Sequence, residues 1–91
     1  MKTINPLKKM PYAQACVRRY EDGTIVLQSY ETDVAYVENG WLTVRGLYSA
    51  TTRRHIGAFM NEIGSTYQVA KVLYEENLEM NIHTGEVREC Q

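Results

Sequence analysis

Ninety-one residues, 44% hydrophobic and 23% charged, make one small globular domain whose own core is marginal. A chain this size hides only about two-thirds of its unfolded surface, so an oligomer or a bound partner is a source of extra stability. A net charge of −1 argues against wholesale binding to duplex DNA, and no apolar run approaches the roughly 18 residues of a membrane span.

Residues 1–12 read as a basic tail, extended and punctuated by Pro6 and Pro11. MKTINPLKKMPY is positively charged without an apolar segment, so no secretory signal is expected. Residues 13–91 read as a single α+β domain. Ala13 to Tyr20 predicts a first strand, and Asp22-Gly23 predicts a two-residue turn into a second strand, Thr24 to Tyr30. Glu31-Thr32 leads to Val34–Glu38, and Asn39-Gly40 turns the chain into Trp41–Tyr48.

Asn-Gly suits a type I′ turn because both central residues need positive φ. A two-residue loop there pairs Glu38 with Trp41, Val37 with Leu42, Tyr36 with Thr43 and Ala35 with Val44. The core face is then Ala35, Val37, Leu42 and Val44, and the outer face Val34, Tyr36, Trp41, Thr43 and Arg45. The first hairpin stays undecided between Tyr20, Ile25 and Leu27 inside and Val17, Val26 and Tyr30 inside.

After Tyr48 the apolar period changes from two to 3.6, with Ile56, Phe59, Met60 and Ile63 on one stripe. Ser49, Thr51 and Thr52 are competent N-caps and Gly64 a natural terminator. Ser65 with Gln68 predicts a capping box for a second helix, with Val69, Val72 and Leu73 as its apolar side. Leu78, Met80 and Ile82 alternate ahead of a Thr84-Gly85 turn, which allows a short final strand or hairpin. The expected fold is a four-stranded antiparallel meander with two short helices packed on one face.

Charge is segregated along the chain. Residues 1–20 and 41–61 carry bases without an acid, residues 21–40 carry acids without a base, and residues 62–91 are mostly acidic. Two surfaces stand out. The helix start, Ser49, Thr51, Thr52, Arg53, Arg54 and His55, combines hydroxyls and guanidinium groups with the positive end of a helix, which suits a phosphate, a nucleotide or a nucleic-acid backbone. Against that, any helix needs a cap, both arginines can lie on its wet side, and His55 borders the apolar stripe as a packed histidine would. The outer sheet face, Tyr36, Trp41, Thr43 and Arg45, carries the residue types that anchor protein interfaces, unless the tail or the C-terminal segment covers it.

Cys16 and Cys90 match no metal or redox spacing; reduced thiols are expected, with a bridge between them left open. There is no P-loop, GxGxxG, HExxH or CxxC, so no cofactor, metal or catalytic residue is expected. Cys16, His55 and Asp33 have the types of a nucleophile, base and orienter, but no spacing brings them together. Thr52–Asn77 has the length of a helix-turn-helix, yet its second helix turns acidic after Lys71, which repels DNA.

The run Ser29-Tyr30-x-Thr32-x-Val34-Ala35-Tyr36, then Tyr48-Ser49-x-Thr51-Thr52-x-x-His55-Ile56-x-x-Phe59, resembles an uncharacterised small-domain family associated with phages and gut-bacterial mobile elements. The resemblance spans about two-fifths of the chain, omits the basic start and acidic tail, and transfers no activity. It implies a small accessory protein of a phage or a mobile element, and with the reduced thiols expected above the location is the host-cell cytoplasm. The expectation is a non-enzymatic binder that inhibits a host protein, including CRISPR effectors and other defence components. Glu62, Glu75, Glu76 and Glu79 would supply an acidic surface imitating nucleic acid. The alternatives are a nucleic-acid- or nucleotide-binding module using the helix start, and a structural component that dimerises through its aromatic face.

Overall fold

The computed structural model describes residues 2–6 and 15–90, with the backbone only for 2–6. Among these residues seven strands form one antiparallel sheet in chain order: β1 Lys2–Pro6, β2 Ala15–Tyr20, β3 Ile25–Ser29, β4 Thr32–Glu38, β5 Trp41–Val44, β6 Leu78–Asn81 and β7 Val87–Glu89. Helices α1 Ala50–Glu62 and α2 Tyr67–Glu75 are inserted between β5 and β6 and pack on the sheet across β3 to β6. The α+β class and meander are therefore as expected, but the sheet is larger. Residues 2–6 of the basic tail pair with β2, and the C-terminal residues form a hairpin that adds to β5. Residues 7–12 of that tail, and positions 13 and 14 of the expected first strand, lie outside the described residues.

The Asn39-Gly40 turn has φ of 54° and 84°, as a type I′ turn requires. The β4–β5 register is the predicted one at all four pairs. The first hairpin differs from expectation. Its loop has three residues, Glu21-Asp22-Gly23, closed by the Tyr20 N–H donating to the Thr24 carbonyl at 2.9 Å. Gly23 takes φ +93°, and the extra residue shifts the pairing so that Val17 faces Leu27. That shift resolves the ambiguity: Val17 and Leu27 are buried with Ile25 packed beside them, while Val26 and Tyr20 point the other way.

Val34 is a second correction. It was expected on the outer face but is fully buried. Leu27 pairs with Ala35 and Gln28 with Asp33, so Val34 is the extra residue of a β-bulge. The bulge lets Val34 and Ala35 both enter the core, and the Val34 carbonyl accepts from the Arg45 N–H at 2.8 Å.

Ser49 is the N-cap of α1, its Oγ accepting from the Thr52 N–H at 3.3 Å. The helix ends in a Schellman motif, in which Ser65 N–H reaches the Met60 carbonyl, Gly64 N–H the Asn61 carbonyl, and Gly64 takes φ +84°. This arrangement displaces the predicted capping box. The Ser65 N–H is engaged by α1, and Thr66 caps α2 instead, accepting from Val69 N–H at 3.4 Å. Ile56, Phe59 and Met60 are buried as predicted, with Ile63 at the margin. On α2 the buried positions are Ala70 and Leu73, whereas Val72 is half exposed and is not part of the apolar side.

Both cysteines are free thiols, Cys16 on β2 and Cys90 just after β7. Five steps of the sheet separate those strands, roughly 24 Å at about 4.8 Å per step, which no disulfide spans. Burial and the neighbouring Glu79 carboxylate raise the Cys90 thiol above its ordinary value.

A candidate interaction face on the open side of the sheet

Strand alternation sends one set of side chains toward α1 and α2 and the other to the opposite side, where no described element covers them. Because the pairing is consecutive, the second set lines up in rows. One row runs Arg18, Val26, Tyr36, Thr43, Glu79, Arg88, each the cross-strand partner of the next. A parallel row contains Glu38 and Trp41. All four predicted interface residues, Tyr36, Trp41, Thr43 and Arg45, are on this face.

Two ion pairs lie on the face among the described residues. Arg18 Nη2 donates to Asp33 Oδ1 at 2.6 Å. Arg88 Nε donates to Glu79 Oε1, and Thr43 Oγ1 donates to Glu79 Oε2 at 3.5 Å. Two guanidinium groups lie over aromatic rings: Arg88 Cζ is 3.7 Å from the Trp41 ring centroid, and Arg45 Cζ is 5.9 Å from that of Tyr36. A depression of about 320 Å³ opens between Tyr36, Glu38, Asn39, Trp41 and Thr43, with Glu79 and Arg88 closing its far side. A second, of about 290 Å³, adjoins it and shares Tyr36 and Glu38 with Val26 and Arg45. Glu38 lines both and has no hydrogen-bond or ion-pair partner among the described residues.

The helix start is organised differently. Ser29 Oγ at the end of β3 lies 2.8 Å from His55 Nδ1 and 3.0 Å from Thr52 Oγ1, and Ser49 Oγ donates to Thr52 Oγ1 at 3.3 Å. Ser29, Thr52 and His55 are all buried. The Tyr30 ring stands 5.8 Å from the His55 ring, and burial lowers the His55 pKa below 6.5. Thr51, Arg53 and Arg54 are exposed on α1. Of the six anion candidates, Ser49, Thr52 and His55 thus belong to a hydrogen-bonded knot tying α1 to the sheet. The knot explains the spacing of the Ser-x-Thr-Thr-x-x-His run: Thr52 and His55, one helical turn apart, both reach Ser29, and the cap Ser49 joins through Thr52.

The four acidic candidates do not form one patch. Glu79 is on the open face, while Glu62, Glu75 and Glu76 belong to the helical layer on the other side. Cys16, Asp33 and His55 do not meet, since Asp33 is exposed on the open face beside Arg18 and His55 is buried on the sheet side of α1. No group of three or more His, Cys, Asp or Glu among the described residues could hold a metal ion. No described helix is long and apolar enough to cross a membrane.

Sequence reasoning missed Arg18, Asp33, Glu38 and Arg88 as members of the face. The register of the predicted hairpin already put Glu38 beside Trp41. For Arg88 no local signal existed, because its place depends on β6 choosing β5 as neighbour.

A family model described as "Family of unknown function (DUF8033)" matches residues 1–78, and the chain belongs to that family. The match takes in the basic start that the motif resemblance left out and stops before Glu79 and Arg88. No curated protein and no solved structure matches the chain.

Proposed function

We propose that this family member is a non-enzymatic binding protein that docks a partner protein on the open face of its sheet. In the phage or mobile-element setting implied by the sequence resemblance, the partner is a host protein in the cell cytoplasm, and docking inhibits it. A defence component such as a CRISPR effector is the leading instance.

One observation carries this reading: Tyr36, Trp41 and Arg45 share a face that no described element covers, on which guanidinium groups are already held against aromatic rings. Trp, Tyr and Arg dominate binding energy because they bring large contact area and directional polar groups. The helix start has less support as a nucleotide site, because Thr52 and His55 are already engaged by Ser29, and Ser49 by Thr52.

The test is capture from host lysate by the wild type and by a Trp41→Ala/Arg45→Ala variant, with circular dichroism to check that both are folded. Loss of specific partners with the variant is the expected result. Identical partner sets would remove the face from the account. Sedimentation of the purified protein addresses self-association, since a dimer broken by the same two substitutions would make the partner a second copy.

A further inference from the structure

Resting on the docking proposal above, we infer that the depression between Tyr36 and Trp41 receives an arginine side chain of the partner, seated against the aromatic rings with Glu38 as its counter-ion. Three observations converge on that chemistry. Two carboxylates, Glu38 and Glu79, border the depression against a single arginine, Arg88, and Arg88 is already committed to Glu79. Glu38 is exposed, lines both adjoining hollows and has no partner among the described residues, so the vacant charge in this depression is negative. That disfavours phosphate as the natural occupant and favours a cation.

The rings then select the kind of cation. Both guanidinium groups of the chain that reach these rings lie over a ring face, Arg88 on Trp41 at 3.7 Å and Arg45 on Tyr36 at 5.9 Å. Arg88 thus shows how the site treats an arginine: ring on one side, carboxylate on the other. A planar guanidinium can stack and pair with a carboxylate at once, whereas a lysine ammonium offers only a point charge. The volume of about 320 Å³, about ten times one water's share of the liquid, leaves room for one long side chain beside Arg88.

The chain contains one tryptophan, so the Trp41 indole N–H gives a single, assigned amide-spectrum peak at the site. The experiment titrates the full ¹⁵N-labelled protein with an acetylated, amidated (Arg-Gly)₄ peptide, and with (Glu-Gly)₄ as the acidic counterpart. Saturable movement of the Trp41 peak with the arginine peptide alone is expected. Glu38→Gln should weaken that binding by about threefold, the scale of an exposed or partly exposed ion pair. Glu75→Gln/Glu76→Gln, on the helical layer, should leave it unchanged. Arg88→Gln should tighten it by freeing Glu79 and Trp41.

A Trp41 peak that does not move would overturn the assignment. So would equal weakening by Glu38→Gln and Glu75→Gln/Glu76→Gln, which marks diffuse charge attraction, or comparable binding of the acidic peptide. If Trp41→Ala/Arg45→Ala abolishes partner capture while Glu38→Gln does not weaken it, docking on the face stands and the arginine pocket falls. If neither variant changes capture, both fall.

Discussion

The two faces of this sheet are built from alternate residues of the same strands, yet they are held by different forces. The covered face joins Val17, Leu27, Val34, Ala35, Val37, Leu42 and Val44 to Ile56, Phe59 and Met60, all almost wholly removed from water. The buried polar side chains described there, Ser29, Thr52 and His55, are internally hydrogen-bonded, as burial demands. The open face is charged and aromatic, and its contacts are ion pairs and ring stacking at partly wet positions. Apolar area on the covered face stabilises the fold, whereas the same number of contacts on the open face contributes little because water competes for each. Residues that are costly to keep ordered and add little stability are those whose energy is available to a partner.

Substitutions matched across the sheet test that contrast. Phe59→Ala should cost about 3–5 kcal/mol in urea unfolding, enough to remove much of the stability of a small domain. Val34→Ala should cost about 2 kcal/mol, from two lost methyl groups and the cavity they leave. A loss under half that size would place Val34 on the outer face and abolish the bulge. Ser29→Ala should cost about 1–3 kcal/mol, since it leaves the buried His55 Nδ1 without its partner and Thr52 Oγ1 with Ser49 alone.

Acid should act through the same knot. Burial places the folded-state pKa of His55 below its ordinary 6.5, so the unfolded chain binds the proton more readily. The stability this group contributes is complete above pH 6.5 and declines as the pH falls below it, by at most about 1.4 kcal/mol per pH unit. Urea midpoints from pH 7.5 down to 5 should fall more steeply for the wild type than for His55→Gln. Parallel slopes would dissociate the imidazole from the effect.

The smallest change belongs to the open face. Asp33→Asn removes the partner of Arg18 and should cost less than about 1 kcal/mol, given that the aspartate side chain is 47% exposed. A cost equal to that of Ser29→Ala would mean the two faces are not energetically distinct after all.

Much of the local framework was legible in the residues. Asn39-Gly40 specified both the turn and the β4–β5 register, and that register placed Tyr36, Trp41, Thr43 and Arg45 on one face. Ser49 and Gly64 marked the ends of α1. The errors have a common cause. Asp22-Gly23 serves a two-residue turn and a three-residue loop equally well, and the one-residue difference inverts which side chains face inward. Ser65 and Thr66 both suit an N-cap, and the choice fell to Thr66 because the α1 terminus engages the Ser65 N–H.

By itself, then, the sequence determined the features that close within a few residues: turns needing positive φ, caps, and the switch from a two-residue to a helical period. These depend on backbone sterics and on hydrogen bonds to near neighbours, which a short segment carries with it. Tertiary structure decided the rest. The Val34 bulge answers to packing beneath the helices, and His55 finds Ser29 across 26 residues. Arg88 reaches Trp41 only because the last hairpin extends the sheet at β5. Such contacts join segments distant in the chain, and their energy appears only after the sheet has brought those segments together.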